Sequence, residues 1–153
     1  MSGSLALALA WLLHLAAPPP ALTETADLIA ETAMHRATMY LVAAVCVRES
    51  RAGLDERAAS VCGVRLRGRY VGDARLSVEI ATRSLSRWQR RCRGSVTRAL
   101  VAYRYGRGCR ARDREGYARS VLRIERRLRR LVPRAAAAIA TSSAWDQNSN
   151  HSL

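Results

Sequence analysis

Hydrophobic and polar positions along the chain alternate in ways that predict a run of helices. Leu5 to Ala17 is almost wholly apolar and ends on Pro18-Pro19-Pro20, a length that suits a signal-peptide core rather than a membrane span. Thr23 opens the next element, with Glu24 and Asp27 in its first turn, where a helix dipole favours acids. No Gly or Pro interrupts the chain from there to Glu49, so two helices are expected to meet near His35. The second, Ala37 to Val47, is apolar on nearly all sides, as a buried central helix would be.

Beyond Glu49 the period changes. Ala52-Gly53-Leu54-Asp55 reads as a turn, with Asp55 capping a short helix through Val61. Val64 and Leu66 alternate with Arg65 and Arg67 between Gly63 and Gly72, the pattern of a brief extended segment or hairpin around Gly68. Asp73 should cap a helix through Cys92 whose buried side is Leu76, Ile80, Leu85 and Trp88. Gly94-Ser95 breaks and recaps a helix from Val96 to about Tyr105, which Gly106-Arg107-Gly108-Cys109 ends in a tight turn. The last helix runs from Asp113 to about Val132 on a stripe of Tyr117, Val121, Ile124, Leu128 and Leu131, and Pro133 should stop it. The fold class read from this is mainly α, a single helical domain with one small extended or hairpin element. Residues 1–21 read as a signal peptide or N-terminal apolar segment, 22–132 as the domain, and 133–153 as an Ala-rich and polar tail expected to be disordered.

Composition changes the picture in two respects. The 153 residues carry 26 basic side chains, all Arg, against 12 acidic ones, for a net charge of +14. Such a surface attracts polyanions: nucleic acid, anionic lipid or acidic wall polymers. The arginines of the last helix are spread like a solvated face, aromatics do not interleave with them, and no nucleic-acid motif is present, so no specific nucleic acid is expected. A membrane-surface protein, held by the first apolar run and by arginine on anionic lipid, is a further reading. The second respect is cysteine. Cys46, Cys62, Cys92 and Cys109 are even in number and widely spaced, with no C-x-x-C and only three His, so no metal site or cofactor is implied. Two disulfides in an exported domain are expected, with three connectivities open.

The candidate chemistry lies in Val45-Cys46-Val47-Arg48-Glu49-Ser50-Arg51. Glu49 is a single acid at the end of an apolar helix. Desolvation there would favour its protonated form, whereas Arg48 or Arg51 would favour the carboxylate. An acid held in a partly dry wall has the makeup of a general acid; the plainer reading is a helix-end ion pair.

The order of segments is what carries a resemblance. Glu49-Ser50 is followed by Ser60-x-x-Gly63, by Ser77-Val78-x-x-Ala81-x-x-Ser84-Leu85, by Ala99-x-x-Ala102-Tyr103-Arg104-Tyr105-Gly106 and by Tyr117-x-x-x-Val121. This resembles the lytic transglycosylase domain of the soluble (SLT) type, related to goose-type lysozymes, over about two thirds of the chain. The resemblance implies a lysozyme-like fold and cleavage of the β-1,4 bond between N-acetylmuramic acid and N-acetylglucosamine. Glu49 would be the catalytic acid/base, Ser50 a substrate-placing neighbour, and Tyr103 a hydroxyl near the carboxyl, with Gly63 and Arg104 at the substrate groove. It further implies an exported, periplasmic or cell-envelope monomer acting on peptidoglycan strands, and on other anionic envelope polymers. Where the family has Gly-Leu-Met-Gln this chain has Gly63-Val64-Arg65-Leu66, where it has Tyr-Asn-Ala-Gly it has Tyr103-Arg104-Tyr105-Gly106, and an Asn becomes Ser77. These departures leave an inactive, peptidoglycan-binding relative as the alternative, beside an Arg-rich nucleic-acid binder. Within this reading the preferred cysteine pairing is Cys46 with Cys62, pinning the catalytic helix end, and Cys92 with Cys109, bracketing the Tyr103 helix.

Overall fold

The structure is a computed structural model that describes residues 1–33 and 35–149. Its elements are α1 (Ser2–Leu12), α2 (Pro20–Thr32), α3 (Arg36–Ser50), a single 3-10 turn (Gly68–Tyr70), α4 (Ala74–Arg91), α5 (Val96–Tyr105) and α6 (Tyr117–Ser149). Among the described residues there is no strand, so the domain is mainly α. The centre is α3: every residue from Met39 to Val47 is buried, and the helix packs against α2, α4 and α6. Its all-round apolarity is thus answered by neighbours on several sides.

Several expectations are met by identifiable local chemistry. The Asp73 carboxylate accepts from Leu76 N at 2.8 Å and caps α4; Ser95 Oγ accepts from Arg98 N and caps α5. Gly106, at φ +65°, ends α5 in the left-handed conformation that favours glycine. The helices α2 and α3 part next to His35, which precedes the first residue of α3.

Other expectations are corrected. The short helix expected from Asp55 to Val61 is a series of turns: Asp55 Oδ1 accepts from Arg57 N in a local loop, which competes with helix at this length. The hairpin around Gly68 does not form. Residues 64–67 run without ladder partners into the 3-10 turn, because no second strand lies alongside to satisfy an extended backbone. On α4 the buried face is Ser77, Val78, Ala81, Thr82 and Leu85. Of the expected stripe only Leu85 is fully inside, and Ile80 and Trp88 instead line a groove.

The two ends of the chain are parts of the same core. Leu5, Ala6, Ala8, Leu9, Ala10 and Leu12 are buried, with α1 packed on α2 and α6. The helix expected to stop at Pro133 continues to Ser149. Proline cannot donate to the carbonyl four residues back, but the Ala-rich stretch beyond has high helix propensity. Ala135 is buried, and Ile139 meets α1 at Gly3. Neither 21/22 nor 132/133 is a break in the packing; residues 150–153 of the expected tail lie outside the described residues. No helix among those described is long and apolar enough to cross a membrane.

Candidate active site

The site begins with the way α3 ends. Arg51 at φ 52° and Ala52 at φ 57° are left-handed, and their amides return to Val47 O at 2.9 Å and Cys46 O at 3.0 Å, a paired closure that satisfies the last carbonyls of the helix. Ser50 lies at this corner and is 1 % exposed. Its Oγ donates to Val61 O at 2.5 Å and accepts from Gly53 N at 2.8 Å. The hydroxyl that the resemblance sets beside the substrate is therefore engaged beneath it, tying helix to loop.

The following loop is held at one residue from three directions. Cys62 is disulfide-bonded to Cys46, its N–H donates to Ser77 Oγ at 3.0 Å, and its carbonyl accepts from the Tyr103 hydroxyl at 2.5 Å. Ser77, which stands where the family has Asn, is thus a buried strut between α4 and the loop. The second disulfide joins Cys92 to Cys109, so both bridges follow the preferred pairing. Two disulfides fit an oxidising, extracellular environment.

Fixing Cys62 fixes Gly63, and Gly63 is fitted to Glu49. It sits at φ +75°, and a Cβ there would fall 2.5 Å from Glu49 Cδ and 2.6 Å from Oε2. Only glycine allows both this backbone and this approach. The loop thereby walls one side of the carboxylate, whose side chain is 12 % exposed.

Two tyrosines and an arginine complete the surroundings. Tyr103 has its hydroxyl pKa raised, first by burial and then by the charge of Glu49. Tyr117 is shifted upward for the same two reasons. Its hydroxyl is within reach of Glu49, but is buried without a hydrogen bond of good geometry in this conformation. Both phenols stay protonated near neutrality; the Tyr103 proton is committed to the Cys62 carbonyl, which leaves the Tyr117 hydroxyl as the donor that can turn to the acid. Arg104 Nη1 lies 3.4 Å from Glu49 Oε2, and its guanidinium stands 5.6 Å from the centre of the Tyr117 ring, within cation–π range. The sequence set Tyr117 on the core seam of the last helix and in the Tyr117-x-x-x-Val121 segment of the resemblance, with no role beside the acid. A buried phenol that needs a polar partner was the available signal for a second role.

Beside the carboxylate runs an open groove. One stretch is lined by Gly63, Val64, Ile80, Trp88, Tyr103 and Tyr105 among others, and contains no acid. It shares Arg65, Arg104 and Tyr105 with a second cleft of about 700 Å³ lined also by Arg107, Arg112, Arg114 and Glu115. Its lining mixes aromatic and aliphatic side chains with Arg65, Ser84 and Arg104. Of the sequence-predicted site residues, Gly63, Tyr103 and Arg104 line the groove, Glu49 lies against Gly63 and Arg104 without lining it, and Ser50 ties the helix end to the loop. Among the described residues no group of three His, Cys, Asp or Glu could hold a metal ion. No known protein family, curated protein or solved structure matches this chain.

Proposed function

We propose that this chain is a peptidoglycan-cleaving lytic transglycosylase, in which Glu49 alone serves as acid and base. The observation that carries the reading is the mostly buried carboxylate at a helix end, walled by Gly63, faced by two phenols and set beside a groove stretch with no acid of its own. Glycosidases with two catalytic carboxylates need both flanking the bond; this site suits a scheme with one. Protonated Glu49 gives its proton to the glycosidic oxygen as the bond from the muramyl C1 breaks. The resulting carboxylate then takes the proton of the sugar's own 6-hydroxyl, whose oxygen closes on C1 as a 1,6-anhydro ring. No water is consumed, and Glu49 ends protonated as it began. Tyr117 donates to the carboxylate between the two transfers, and Tyr103, bound to the Cys62 carbonyl, holds the loop that positions it. The place of action is the cell envelope, with glycan strands as substrate and no cofactor.

A second reading has its own observation. Arg104 pairs with Glu49, and a guanidinium engaged at that carboxylate oxygen describes a glycan-binding relative without cleavage. Digestion of purified sacculi with products read by mass spectrometry separates the two. Anhydromuropeptides are expected from the wild type. Reducing-end products would make it a hydrolase instead. No products from the wild type, with release restored by Arg104→Ala, would show the pair to be a lock. No products from either folded protein would overturn the enzymatic reading.

A further inference from the structure

We propose that the arginine-lined end of the groove is a seat for carboxylates carried by the glycan. The site would then take strands with free acidic substituents in preference to strands whose acids are masked. This rests on the groove being a glycan site, as proposed above.

The cleft is lined by Arg65, Arg104, Arg107, Arg112 and Arg114 against one acid, Glu115. Among the described residues Arg65, Arg107, Arg112 and Arg114 form no ion pair with a carboxylate. The other acid of the loop, Asp113, is already engaged: its two oxygens accept from Tyr117 N at 2.7 Å and Ala118 N at 3.0 Å at the start of α6. That cap holds one end of the loop, and the Cys92–Cys109 disulfide holds the other. The arginines on it are consequently presented by a tethered backbone, which lowers the ordering cost of receiving an anion.

Arginine abounds on this chain, but its placement here differs from elsewhere. Along α6 the exposed Arg119, Arg123, Arg126 and Arg130 face outward from a helix, whereas these five converge on one concavity. Guanidinium forks match carboxylates bidentately. Continuity with the aromatic stretch through Arg65, Arg104 and Tyr105 favours an occupant that is part sugar and part acid over a phosphate backbone, for which the stacking surface would have to alternate with the charge.

The test uses folded Glu49→Gln protein, which can bind without cutting, in co-sedimentation with two preparations of sacculi. One is intact; in the other the free carboxylates are converted to neutral methylamides. Binding to the intact preparation is expected to be about 10-fold tighter, the scale of one or two charge-assisted hydrogen bonds. Adding Arg107→Gln and Arg112→Gln should abolish that difference while leaving binding to the amidated sacculi unchanged. Equal binding to both preparations, no binding to either, or a difference that survives the double substitution would overturn the seat. Displacement by single-stranded oligonucleotide at concentrations where a glutamate-rich peptide displaces nothing would also overturn it, marking a phosphate site. If wild-type protein releases no muropeptides yet the difference in binding stands, the cleavage reading falls and the seat remains.

Discussion

The floor around Glu49 and the arginine end of the groove share residues but are built on opposite principles. At the floor most polar groups are engaged: Ser50, Ser77, Tyr103 and both backbone groups of Cys62 have partners, a disulfide crosses the middle, and the Tyr117 hydroxyl is left over. At the arginine end the backbone is tethered equally well, yet among the described residues Arg65, Arg107, Arg112 and Arg114 have no carboxylate partner, Arg104 alone being paired. A saturated network fixes the position of a catalytic group; unpaired charges in a concavity await a counterion from outside. The contrast lets stability and recognition be perturbed separately.

The largest effect is expected from removing the disulfide of the floor. Cys46→Ala with Cys62→Ala should cost about 3 kcal/mol and lower the midpoint of thermal unfolding by roughly 6–12 °C. Cleavage should fall with it because Gly63 loses its anchor. The matching Cys92→Ala, Cys109→Ala pair should cost a similar amount in calorimetry but weaken binding of acidic glycan more than it slows the chemistry. Equal effects of the two pairs on cleavage would dissolve the distinction between the two ends.

Gly63→Ala should cost about 1–3 kcal/mol through its positive φ. Because the new methyl group displaces the Glu49 carboxylate, cleavage should drop by about 100-fold, the order expected for a misplaced catalytic group. Wild-type activity in this variant would show that Gly63 does not set the acid's position.

An alkaline titration sharpens the floor further. The phenols of Tyr103 and Tyr117 hold their protons in the folded state above their ordinary value of 10.0. Above about pH 10 the unfolded chain releases protons that the folded chain keeps, so their contribution is intact below that pH and is lost as the pH rises. Urea unfolding between pH 8 and 11 should show falling stability above pH 10, with a shallower fall in Tyr117→Phe. The smallest effect belongs to the arginine end. Arg112→Gln should change stability by no more than about 0.5 kcal/mol, and a larger loss would mean that its charge is part of the fold.

How much of this was legible beforehand depended on how local the signal was. The caps Asp73 and Ser95, the apolar run of α3 and the glycine after Tyr105 act through neighbours in sequence, and they were read correctly. Pro133 misled because its local cost is real, while the compensation lies in the propensity of the residues beyond it and in packing on α1, more than a hundred residues earlier in the chain. The first apolar run read as either a signal peptide or an N-terminal apolar segment, because apolarity alone does not say whether membrane, export machinery or α6 will cover it. In the site, Glu49 stood out as an isolated acid. Ser50 looked like a site residue because its place beneath the groove depends on Val61, eleven positions on. Of the arginine cleft only Arg104 was marked beforehand, through the resemblance: in a chain whose only strong cation is Arg, nothing local marks the others that converge.

The central claim is that Glu49 alone moves both protons. Its most direct test is the rate of muropeptide release by Glu49→Gln against wild type, with the folded state of both verified by circular dichroism. The substitution keeps shape and removes the titratable proton, so the account predicts a loss of about 1,000-fold or more, within the range that acid–base catalysis and positioning jointly supply. Release within a few-fold of wild type would contradict it and move the chemistry away from this carboxylate.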